Sequence, residues 1–188
     1  MLITGDSLIK YLKFSDINVA VLPFPGLTTE RLNGLLRNNP KARDIIHQDV
    51  FTQMFKQHNE YVIVVGTNNL ANEKPSDVIE KVIDLVVLIK NFNSFAMIAL
   101  VKVPVRLSSS NTRRIKGDDG TLQNITERVN DYNMKLQQEQ EKLSRTNNRF
   151  TIIDFALNAN TDLCWDGLHP NYRGVQKMHD TITRFRQL

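Results

Sequence analysis

Ser7 stands where a short apolar strand, Leu2-Ile3-Thr4, passes through Gly5-Asp6 into a helix-like run, Leu8-Ile9-Lys10-Tyr11-Leu12. A hydroxyl at the end of a strand and the start of a helix can act as a nucleophile. Unpaired N–H groups and the positive end of the helix dipole favour developing negative charge there. The same position also suits a serine that only caps the helix. Acyl chemistry at Ser7 therefore requires a base, a carboxylate to orient it and donors for an oxyanion. His169 is the candidate base, able to take the serine proton near neutral pH and return it to a leaving group. Asp166 precedes it by three residues in Trp165-Asp166-Gly167-Leu168-His169-Pro170. On a turned loop that spacing lets a carboxylate fix the imidazole tautomer through Nδ1. The structural alternative for the pair is a turn cap and a surface histidine before a proline. Gly26, in a turn after two prolines, and Asn68, after an apolar run, are candidate oxyanion donors beside the Ser7 N–H. Glycine lets the main chain approach a bound carbonyl, and an amide NH₂ is a neutral, directional donor. Both are equally at home as ordinary loop residues.

Only a scaffold that gathers four separated stretches makes a site of these residues. The β-branched run at 17–22 reads as a strand closed by Pro23 and Pro25. A helix over about 28–37 places Leu32, Leu35 and Leu36 on one face, and a second over about 42–58 carries Ile46, Val50, Met54 and Phe55. An unbroken apolar run at 61–65 suits a strand covered on both faces, 95–103 reads as the next buried strand, and a helix over 75–92 lies between them. A helix over 125–144, a strand over 150–155 and a last helix bearing Val175, Met178, Ile182 and Phe185 complete the alternation. Such a pattern predicts right-handed crossovers and a parallel sheet: a three-layer α/β/α sandwich of five strands in the order 2-1-3-4-5. Ligands of such sheets sit beyond the carboxyl ends of the strands. Ser7, Gly26, Asn68 and the Asp166–His169 loop all follow strands, so all fall on that edge.

Taken together, these four blocks resemble the SGNH (GDSL-type) hydrolase superfamily. Gly5-Asp6-Ser7-Leu8 matches its first block in full, Gly26 its second, and Asp166-Gly167-Leu168-His169 its fourth, with Pro170-Asn171 a frequent continuation. Gly66-Thr67-Asn68-Asn69 matches the third except at its last place, where the family usually has Asp. The resemblance spans the whole chain and implies the flavodoxin-like SGNH fold. It implies a serine esterase with Ser7 as nucleophile, His169 as base and Asp166 as its partner. Gly26 and Asn68 would form the oxyanion hole with the Ser7 N–H, and no metal or cofactor is needed. Small members of the family often take short acyl groups such as acetyl. Asn69 loses a charge relative to the family pattern, which is expected to weaken the support of Asn68 without abolishing the site.

The 188 residues suit one domain, 1–188, and 41% hydrophobic with 23% charged residues is ordinary for a globular chain. No apolar run is long enough to span a bilayer and residues 1–25 lack the order of a secretory signal, so an intracellular setting is expected. Cys164 is the single cysteine, which excludes an internal disulfide. Cys164 beside Trp165 reads as a small packed side chain, and His47, His58 and His179 as helix residues without metal-ligand spacing. Residues 104–123 read as one long irregular segment carrying Arg106, Arg113, Arg114 and Lys116. With a net charge of +4, that loop motivates a second reading, an adaptor domain associating with RNA or lipid. The tight trimming around the first strand and last helix suggests a domain excised from a longer protein. SGNH domains of that kind occur in LINE-type retrotransposon proteins.

Overall fold

Apolar residues alternate between two cores along each central strand of the computed structural model, which describes residues 1–37, 48–105 and 114–186. Leu2, Tyr61, Ile63, Ile98 and Leu100 face one cluster, and Ile3, Val62, Val64, Ala99 and Val101 face the other. Successive strand side chains point to opposite faces, so a sheet buried on both sides needs this continuous apolar composition. The strands are β1 (Leu2–Gly5), β2 (Ala20–Pro23), β3 (Glu60–Val64), β4 (Met97–Val101) and β7 (Thr151–Ile153), all parallel, in the order β2-β1-β3-β4-β7. A separate hairpin, β5 (Ile115–Lys116) with β6 (Leu122–Gln123), lies outside this sheet. With the hairpin set aside, the order is the expected 2-1-3-4-5.

Helices α1 (Thr29–Leu36), α2 (Gln48–Lys56), α3 (Pro75–Phe92) and α4 (Ile125–Leu143) pack on the first face through Leu32, Phe55, Val82 and Val129 among others. α5 (Tyr172–Arg186) covers the second with Met178 and Ile182. The α1 start is capped by Thr28, whose hydroxyl accepts the Arg31 N–H, and α4 begins in a reciprocal capping box between Asn124 and Glu127. Among the described residues no helix is long and apolar enough to cross a membrane.

Two expectations change. Leu8–Leu12 is not a helix: Ser7–Ile9 forms one 3-10 turn, and the Lys10 and Leu12 N–H groups donate to the carbonyls three residues back. Leu8, Ile9 and Leu12 are all buried, so the tighter turn seats three apolar residues against one face. A single turn carries no helix macrodipole, and that argument for Ser7 lapses. Nor is 104–123 irregular throughout, because the hairpin occupies its end. The Ser76 hydroxyl donates to Asp118 at 2.6 Å and Lys135 pairs with the same carboxylate at 3.2 Å, tying the hairpin tip to α3 and α4. Arg114 and Lys116 are exposed there, whereas Arg106 and Arg113 lie outside the described residues, as do Ile46 and His47.

Candidate active site

The ends of β2, β1 and β3 are level, with Gly5 in register with Pro23 on one side and Val64 on the other. Beyond the strands the match continues: the Asp6 N–H donates to the Val64 carbonyl and the Phe24 N–H to the Gly5 carbonyl. Ser7 therefore emerges between the β2 and β3 tails that carry Gly26 and Asn68. Asp6, not Ser7, caps the 3-10 turn, its Oδ1 accepting the Leu8 N–H at 2.9 Å. The Ser7 hydroxyl is left to face across the site, 2.9 Å from His169 Nε2.

His169 is held by a loop with its own framework. Leu163 pairs with Pro170 in an antiparallel bridge, the Cys164 N–H donates to the His169 carbonyl at 2.7 Å, and a turn closes from Gly167 to Cys164. Gly167 has φ +65°, a conformation that costs an L side chain strain. Asp166 Oδ1 accepts the N–H groups of Leu168 and His169, both at 2.9 Å, and Oδ2 lies 2.6 Å from His169 Nδ1. Burial alone would raise the Asp166 pKa, but the His169 ring bond and the two backbone bonds outweigh it and hold the carboxyl below its ordinary value. An ionised carboxylate only accepts, so Nδ1 carries the proton and Nε2 presents its lone pair to the Ser7 hydroxyl.

Below this hairpin, Asp162 is fully buried. It accepts from the Asn158 N–H and the Thr161 hydroxyl, and it pairs with Lys177 at 2.5 Å and Arg173 at 3.2 Å on α5. Asn171 donates its amide to the Thr161 and Leu163 carbonyls and accepts the Gly174 N–H. These residues dock the loop onto the last helix.

On the other side of Ser7, Phe24-Pro25-Gly26-Leu27 is a turn closed by the Leu27 N–H on the Phe24 carbonyl. Gly26 has φ +73° and open space where a Cβ would stand, so backbone conformation rather than crowding selects glycine. Asn68 Nδ2 donates to the Leu27 carbonyl at 2.9 Å, which joins Asn68 to the segment carrying Gly26 and leaves a second N–H on the same nitrogen. Asn69 is buried, and its Oδ1 accepts both the N–H and the hydroxyl of Thr29, at 2.9 and 3.1 Å. Neighbouring asparagines thus clamp neighbouring stretches of the β2 tail.

The other sequence candidates sit apart. His58 Nδ1 bonds the Met54 carbonyl, His179 stacks on Phe14, and Cys164 is half-buried with its thiol toward the Pro170 carbonyl. Among the described residues no group of three or more His, Cys, Asp or Glu side chains is arranged to hold a metal ion. A cleft of about 850 Å³ lies at the opposite edge of the sheet, lined by Lys90, Phe95, Met97, Arg149 and Phe185. It sits at the amino ends of β4 and β7, away from the level strand ends around Ser7.

The sequence profile of the family described as GDSL-like Lipase/Acylhydrolase matches residues 3–182. The chain belongs to this family. As a GDSL-type chain it falls in a hydrolase class, and its sheet and helices match solved relatives. A GDSL-like lipase from Bacteroides thetaiotaomicron superposes with a TM-score of 0.67 at 12% identity, over 99% of this chain and 86% of that one. A lipase/acylhydrolase from Enterococcus faecalis gives 0.63 at 21% identity, over 98% and 93%. An acetylxylan esterase from Geobacillus stearothermophilus, solved as a catalytic mutant, gives 0.60 at 13% identity, over 97% and 91%. At these identities the likeness concerns the fold. No curated protein matches the chain by sequence.

Sequence reasoning about this GDSL-type chain missed Asp162, Thr29, Glu30, Glu73 and Lys81. Their roles depend on partners that folding brings together, such as Thr29 with Asn69, 40 residues apart. Asn171 was visible only as the continuation of the fourth block.

Proposed function

We propose that the protein is a serine esterase that hydrolyses carboxylic esters of short acyl groups, acetyl foremost. The observation that carries the reading is the hydrogen-bonded line from Ser7 through His169 to Asp166, at 2.9 and 2.6 Å. Ser7 Oγ attacks the ester carbonyl as its proton passes to His169 Nε2, and the Asp166 carboxylate stabilises the imidazolium. The Ser7 and Gly26 N–H groups and the Asn68 amide take the negative charge of the tetrahedral oxygen. Collapse expels the alcohol with the proton from His169. A water then gives its proton to His169 and its oxygen to the acyl carbon, and Ser7 is regenerated as the carboxylic acid leaves. Two features favour short acyl groups. The His169 and Asp166 side chains are each about one-third exposed, as in a shallow site, and the Geobacillus relative is an acetylxylan esterase.

Hydrolysis of p-nitrophenyl acetate and longer homologues by wild type and Ser7→Ala tests the proposal. Turnover confined to wild type and falling with chain length is the expected outcome. Equal background rates, together with no fluorophosphonate labelling of wild type, would sink it.

A further inference from the structure

Asn69 makes four directed contacts, and their geometry fixes which end of its amide faces where. The Thr29 backbone N–H can only donate, so the atom 2.9 Å from it is Oδ1. Nδ2 is thereby turned toward two carboxylates, Glu30 at 2.8 Å and Glu73 at 2.7 Å, and donates one N–H to each. Lys81, on α3, pairs with both glutamates. The Glu73 N–H and the Asn72 N–H close back on the Asn69 carbonyl, so the turn that follows Asn68 is fixed at its base. The side chain at 69 is buried and each of its polar hydrogens is used.

This arrangement requires an amide. An aspartate would keep the bonds from Thr29, but its second oxygen would replace the NH₂ and face two carboxylates. The cluster of two carboxylates and one ammonium would become three carboxylates around that ammonium. Like charges at hydrogen-bond distance in a partly buried site repel strongly. The departure from the family pattern is therefore matched by the glutamates around it.

We propose that Asn69 is a positioning residue for the oxyanion side of the site. Held between Thr29 and the Glu30–Glu73–Lys81 cluster, it fixes the β3 tail so that Asn68 seats on the Leu27 carbonyl beside Gly26. The inference rests on the esterase reading for its catalytic consequence, but its structural content is independent of it. Asn69 touches no reacting atom and acts through Asn68.

The experiment compares wild type, N69D, N69D/E73Q and Ser7→Ala by kcat and KM for p-nitrophenyl acetate. Melting temperature and the ¹H–¹⁵N resonances of the Asn68 side-chain amide are recorded in parallel. N69D is expected to fold, to lower kcat about 10- to 100-fold with KM within about twofold, and to shift the Asn68 amide. N69D/E73Q restores both a donor and the net charge, and should recover most of the lost kcat and return the amide resonance. Wild-type kcat with an unmoved amide in N69D overturns the proposal, as does a loss that E73Q leaves untouched. Should N69D fail to fold, a folded double variant with kcat near wild type supports the pairing and an unfolded one overturns it. If wild type turns over no faster than Ser7→Ala, the esterase reading fails. The Asn68 amide then decides the positioning alone, by moving in N69D and returning in the double variant or by not moving.

Discussion

Asp166 serves two masters: Oδ1 holds the backbone of its own turn and Oδ2 holds the His169 ring. Asp166→Asn separates these duties. Both backbone partners are donors, so an asparagine keeps its oxygen toward them and turns its NH₂ to Nδ1. Nδ1 must then accept, the proton moves to Nε2, and the ring has no lone pair for the Ser7 hydroxyl. The expected result is a fall in kcat of about 10⁴-fold with the loop backbone little changed. A decrease under tenfold in steady-state assays would mean that the carboxylate does not set the tautomer. At this scale the sequence was most legible in which residues meet, since Ser7, His169 and Asp166 lie within hydrogen-bond distance of one another in turn. It was least legible where two adjacent residues compete for one duty. Asp6 rather than Ser7 caps the turn because its side chain reaches the Leu8 N–H, a choice made by backbone angles that no spacing reveals.

The loop bearing Asp166 and His169 is joined to α5 through Asp162. The Asp162 carboxyl is held below its ordinary value, first by Lys177 and then by the Asn158 N–H, and Asp166 is depressed as well. Depressed carboxyls stabilise the fold above their unfolded value, near 3.8, and that stabilisation is lost as pH falls through the folded values. Asp162→Asn should therefore melt several degrees below wild type at pH 7. The gap should narrow as pH falls below about 4, as thermal denaturation followed across pH will show. A gap that persists unchanged at low pH would assign the effect to packing instead of charge. Elements were readable from sequence when their signal was local. The continuous apolar run at 61–65 announces a strand covered on both faces, and Pro75 opens α3 as expected of a proline at a helix start. The 3-10 turn was not readable, since Leu8, Ile9 and Leu12 satisfy a helical and a 3-10 spacing alike. Nor was the hairpin at 115–123, whose two-residue strands are fixed by the Asp118 contacts with Ser76 and Lys135. Asn68 and Asn69 each bind a stretch about 40 residues earlier, and no local pattern encodes such a clamp.

Across the whole molecule, β1, the first strand in chain order, lies inside the sheet between β2 and β3, and Ser7 and His169 lie 162 residues apart. α5 docks on that strand's face, Met178 and Ile182 sharing a cluster with Ile3, Leu8 and Ile9. Contacts of such separation form slowly because loop closure precedes any gain from them. On refolding from denaturant, fluorophosphonate labelling of Ser7 should lag the recovery of far-ultraviolet circular dichroism. Labelling that keeps pace with it would show the site forming before the last helix docks. A ribosome reads this chain from Ser7 toward His169. Over the 162 residues that separate them the serine is present without the histidine, so on the proposed mechanism hydrolytic competence arrives only once His169 has been made. In a nascent chain, on that mechanism, reactivity toward an acyl group would signal that translation has passed His169 and that its loop has met Ser7.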